Sequence, residues 1–142
     1  MRAKEYLRRI KNLTTKIEQL KLELRELEDA AIGISGVDYS KELIQSSSSG
    51  EPAFVKLMPK ISDLKIQIAN TIEEYVVLRH KTINQIHQLE NDVYIQVLFK
   101  TYAENKSLEI VADELHYSYG YTRHLHLAAL IEFEKIFAND LK

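Results

Sequence analysis

Between Tyr6 and Leu27 the apolar residues Tyr6, Ile10, Leu13, Ile17, Leu20, Leu24 and Leu27 succeed one another at alternating steps of four and three. That spacing places all seven on a single stripe of an α-helix. Charged residues of both signs fill much of the remainder, with Lys21 and Arg25 set among Glu18, Glu28 and Asp29, so the other face is a solvated one. A stripe this narrow and long needs a partner helix, in the same chain or in another. The helix is expected over residues 3 to about 31 and to stop at Gly33 and Gly36.

A second periodic segment runs from about Ala53 or Pro59 to His87, with Phe54, Leu57, Ile61, Leu64, Ile68, Ile72, Tyr75, Val76, Ile83 and Ile86 as its stripe. Pro59 either opens this helix or kinks it, because proline lacks an N–H and crowds the preceding turn. Between the two lies a linker, 33–52, with the low-complexity core Ser46–Gly50. The two segments are expected to form an antiparallel helical hairpin over residues 1–88. Two copies would bury the remaining apolar surface as a coiled coil or four-helix bundle, giving a homodimer. The alternative is a monomeric bundle onto which the C-terminal part folds back. With only two Pro and four Gly among 142 residues, the expected fold class is all-α.

The absence of Cys removes disulfides, thiolate metal sites and cysteine nucleophiles. No run approaches the roughly 18 apolar residues that a membrane span needs, and Met1–Leu13 alternates charged and apolar residues unlike an export leader. A cytoplasmic protein with no membrane partner is therefore expected. No Gly-rich phosphate loop, catalytic Ser–His spacing or paired apolar-set carboxylates occur, so neither enzyme activity nor a cofactor is expected. His124 and His126 fall on different sides of a helix, and His80 and His87 lie two turns apart. Neither pair suits one metal ion.

Residues 89–142 read as a separate, C-terminal domain. Asn91 and Asp92 suit the start of a helix Val93–Tyr102, with Val93, Val97, Leu98 and Tyr102 on one face. After the polar break Glu104–Lys106, Ser107 is placed to cap a short helix with Ile110, Val111 and Leu115 inward. His116 and Tyr117 make a turn, and Ser118 caps a last helix from Tyr119 to about Phe137. Leu125, Leu127, Ala129, Leu130, Phe133 and Phe137 are its expected packing residues. Two short-linked helices with a small residue, Ala112, at the crossing form the layout of a helix-turn-helix, whose second helix enters the DNA major groove. Net charge is only −2, yet Leu115–Ile131 contains no Asp or Glu and carries Arg123 with three histidines. Polar residues in the first turns of that helix are the ones that reach base edges or phosphates. Tyr119, Tyr121, Thr122, Arg123 and His126 fill those positions, although His126 on a partly apolar face also suits a packing role. Lys106 is a candidate phosphate contact.

The stretch Leu98–Leu130, with KSLEIVADELHYS followed by LH-x-x-AL, resembles the promoter-reading domain of sigma factors, region 4. It is similar, more closely, to the ArpU-like late transcriptional regulators of phages and prophages, in which a helical hairpin precedes a sigma-like helix-turn-helix. The resemblance is strong over residues 89–137 and weak over the hairpin. It implies a DNA-binding regulator of phage late genes in a bacterial host cell, with Ser118 as the recognition-helix cap and Tyr119, Tyr121, Thr122 and Arg123 as DNA contacts. Ala128 stands where such domains commonly hold Arg, and Thr122 where Val is usual. These departures imply help from a second copy or from RNA polymerase. Two further readings share the pattern: a small terminase-like packaging subunit, and a sigma-like adaptor that binds polymerase rather than DNA.

Overall fold

The computed structural model of the chain describes residues 1–36 and 53–142, and among these every regular element is helical. In order they are α1 (Ala3–Gly36), α2 (Ala53–Ile86), α3 (Asp92–Leu98) continuing into a π-helical turn Phe99–Ala103, α4 (Leu108–Leu115) and α5 (Tyr119–Ile136). The all-α expectation therefore holds. Among the described residues no helix is long and apolar enough to cross a membrane. The greater part of the expected linker, 37–52, lies outside the described residues.

Two boundaries differ from the sequence reading. α1 continues through Gly33 to Gly36, because one glycine costs a helix only about 1 kcal/mol and a long helix absorbs that. Pro59 neither opens α2 nor ends it, but sits seven residues in. Its missing N–H removes the single bond to the carbonyl of Val55, near the end of the helix where the loss is smallest.

The contacts divide the described chain into two units, Met1–Thr14 with Glu74–Lys142, and Thr15–Glu73. In the Thr15–Glu73 unit, Leu20 packs with Leu64 and Ile68, flanked by Leu24 and Leu27. The stripe read on α1 is thus the buried one there. On α2 the stripe needs correction. Ile72 and Val76, expected within it, are 38% and 56% exposed. The buried positions 61, 64, 68, 71, 82 and 85 keep steps of three and four with half-buried Tyr75 and Leu78. Polar Thr71, Thr82 and Gln85 therefore occupy the seam that Ile72 and Val76 were expected to fill.

The other unit takes in residues 89–142 together with the start of α1 and the end of α2. Its core joins Leu7, Ile86, Leu98, Tyr102, Leu130 and Phe133, with Tyr6 tilted against Phe133 at 5.9 Å. Burying side chains of this size contributes about 1.5–3 kcal/mol each. The Tyr6 hydroxyl is satisfied by donating to Gln85 Oε1 at 2.9 Å. A second cluster, Val97, Val111 and Leu125, holds α3, α4 and α5 together. Ile110 and Leu127, expected inward, are 49% and 58% exposed. Val111 and Leu125 take the inward positions beside them.

Candidate nucleic-acid interface

Local chemistry sets the start of each helix here. Asn91 Oδ1 accepts from the Val93 amide at 2.9 Å, and Ser107 Oγ accepts from the Ile110 amide at 3.4 Å. Ser118 Oγ accepts from the Tyr121 amide at 3.1 Å. Each cap satisfies an amide that a first helical turn leaves without a carbonyl. α4 ends at His116, whose backbone is left-handed with φ 61°. The His116 amide donates to Asp113 O and the Tyr117 amide to Ala112 O at 3.0 Å. These paired bonds close the helix and turn the chain within three residues into α5. Ala112 is buried, as a close crossing between α4 and α5 requires.

α5 exposes Tyr119 and Tyr121, by 44% and 51%, and Arg123 and His124 are exposed as well. The Arg123 guanidinium lies over the Tyr119 ring at 5.7 Å, and Tyr121 meets Tyr117 edge-on at 5.1 Å. The aromatic rings thus hold the first turns of α5 in place while leaving polar atoms outward.

Thr122 is different from expectation. It is fully buried, and its Oγ1 donates to Ser118 O at 2.9 Å, so it supports the helix from inside and is absent from the exposed face of α5. Ser118 acts through its cap. Lys106 binds the Glu114 carboxylate, at 2.9 Å to one oxygen, and also the Glu104 carboxylate, so its charge is already compensated. Those hydrogen bonds, from Glu104 first and Glu114 second, hold its ammonium above the usual lysine range. Lys100 joins the same Glu114 at 3.6 Å.

His126 is half-buried and joined to the Tyr102 hydroxyl by a 2.7 Å hydrogen bond, their rings stacked at 5.7 Å. Burial above all, then the charges of Lys4 and Arg8, push its imidazole down to about 4. Burial also pushes the Tyr102 phenol up to about 12, against the opposing pull of Arg8. The π-helical turn is what brings Tyr102 here. The Glu104 amide donates to Phe99 O across five residues, and the extra residue carries the Tyr102 side chain round to α5.

Lys4, Arg8 and Lys11 of α1 belong to this same unit and escaped the sequence reading. They line a cleft of about 330 Å³ together with Lys106 and His126. An adjoining cleft of about 420 Å³ is lined by Lys4, Gly120, Arg123, His124 and Leu127. Their steps of four and three put the three basic residues on one face of α1, which was the available signal. Nothing local says that this face meets α5.

No protein-family model, curated protein or solved structure matches the chain.

Proposed function

We propose that the chain is a sequence-specific double-stranded-DNA-binding transcriptional regulator, of the phage late-gene kind to which its C-terminal sequence is similar. The helices α4 and α5 act as a helix-turn-helix, and the N-terminal helical hairpin makes the homodimer. The observation that carries the reading is the exposed start of α5. There Tyr119, Tyr121, Arg123 and His124 face outward on the first turns of a helix that carries no Asp or Glu before Glu132, is capped by Ser118 and is bordered by Lys4. In a major groove, Arg123 is suited to a bidentate contact with a guanine edge, and the tyrosine hydroxyls to phosphates or bases. The free amides at the start of α5 favour an adjacent phosphate. Dimerisation is supported by apolar side chains left outward on the Thr15–Glu73 unit, including Leu22, Met58, Ile66 and Ile72.

Selection of sites from a random duplex library at low salt tests the reading. Enrichment of one sequence is expected. Arg123→Ala is expected to lower affinity for that sequence about 5- to 150-fold, the equivalent of about 1–3 kcal/mol, and to relax the preference at one position. Failure to enrich or retard any duplex would overturn it. A second reading, an adaptor that binds RNA polymerase, draws support from Leu127 and Ile131, which stand 58% and 48% exposed on α5. It predicts capture of polymerase that Arg123→Ala leaves unchanged.

A further inference from the structure

Lys4, Arg8 and Lys11 gather on one wall of the 330 Å³ cleft, and no Asp or Glu lines it. Among the described residues none of the three is paired with a carboxylate. Lys106 lines the same cleft and is paired with Glu104 and Glu114, which do not line it. Like charges brought together repel, and a bound anion relieves that repulsion. The rest of the lining is rich in donors. Asn105 contributes its side-chain amide and Ser107, whose Oγ caps α4, a hydroxyl, while Thr101 Oγ1 is buried behind the lining with no hydrogen-bond partner among the described residues. The positive field reaches the cleft lining, where Lys4 and Arg8 add to the effect of burial in holding His126 neutral.

We propose that this cleft is a phosphate-binding site that takes a backbone phosphate of the same duplex whose groove α5 enters. The inference rests on the DNA-binding reading. A phosphodiester chain suits the site better than a free anion, because the cleft adjoins the one lined by Arg123 and His124 and shares Lys4, Leu108 and His126 with it. A ligand that fills both is extended, anionic and continuous with the exposed face of α5. α1 then works as a phosphate clamp, gripping the backbone while α5 selects sequence.

The test is the salt dependence of duplex binding by the full chain and by the triple variant Lys4→Gln/Arg8→Gln/Lys11→Gln, with circular dichroism as the check on folding. Each phosphate contact contributes about 0.9 to the slope of log affinity against log salt. The triple variant is expected to bind all duplexes more weakly by a similar factor, with a slope shallower by about 0.9 for the one phosphate no longer held and the wild-type sequence preference intact. An unchanged slope and affinity overturns the clamp and leaves the DNA-binding reading standing. If the wild-type chain binds no duplex, that reading falls, and with it the phosphodiester as occupant. The cleft itself is then judged by titration with inorganic pyrophosphate. Shifts of the Tyr102 and His126 side-chain resonances that the triple variant abolishes keep an anion site, and no shift removes it.

Discussion

His126 links the candidate interface to the stability of its unit. An imidazole in the unfolded chain takes up a proton as pH falls through about 6.5. In the fold its pKa lies at about 4, because burial and the neighbouring Lys4 and Arg8 oppose the charge. Between those values the unfolded chain binds more protons than the folded one, so stability falls as pH falls. The contribution is complete above about pH 6.5 and gone below about pH 4. A shift of this size corresponds to at most ~3 kcal/mol, and the part of the ring that water reaches cuts this to about 1–2 kcal/mol. Urea denaturation at pH 7 and pH 4.5 is expected to show a smaller pH-dependent loss in His126→Gln than in the wild-type chain. Equal losses would show that His126 is not responsible. Thr82 offers a second single-residue test. It is fully buried and its Oγ1 has no partner among the described residues. Thr82→Val keeps the shape and removes the unsatisfied hydroxyl, so stability is expected to rise by about 1 kcal/mol, measured by the urea midpoint.

The helices of residues 89–142 were legible in the sequence because their ends are decided locally. Asn91, Ser107 and Ser118 each accept an amide from within the next three residues, and nothing distant is needed to place them. Features that depend on a partner helix were not legible. On α2, hydropathy favours Ile72 and Val76 over Thr71 and Thr82, but the position facing the neighbouring helix decides burial, and threonine is small enough to fit. The basic face of α1 becomes part of a site only because Leu7 and Tyr6, on the next face round, are drawn into the core with Phe133. Thr122 was misread for the same reason, since a helix position one step from Tyr121 turns inward. Gly120 separates local stability from binding. A Cβ at this position meets nothing within 4 Å, so Gly120→Ala is expected to raise stability by about 0.5–1 kcal/mol. Because Gly120 also lines the cleft beside Arg123 and His124, the same methyl is expected to weaken duplex binding. A thermal melt and a titration on one variant separate the two effects. A stability gain with unchanged affinity would place DNA away from this side of α5.

At the scale of the molecule, the net charge of −2 opposes a polyanion and does not attract it. On the proposed DNA-binding reading, attraction would come from Lys4, Arg8, Lys11 and Arg123, which line two adjoining clefts and are few enough that few phosphates would be met per copy. Few contacts mean weak binding by one reader, and two linked readers overcome this because the second binds at the high effective concentration set by the first. Such linkage raises affinity by about 10²–10⁴-fold without any new contact. The proposed dimer would use a surface on the Thr15–Glu73 unit, where Met58 and Ile72 are 52% and 38% exposed and fall on one face of α2. Sedimentation equilibrium of the wild-type chain is expected to give a dimer, and Met58→Lys/Ile72→Glu a folded monomer, since both positions are outward and carry none of the core. On a two-half-site duplex the monomer is expected to lose at least 10²-fold in affinity, while on a single half-site it binds as the wild-type chain does. A variant that stays dimeric would move the dimer seam to another face. A wild-type mass of many copies would favour the ring-forming packaging subunit, because a dimeric regulator has no use for a larger closed assembly.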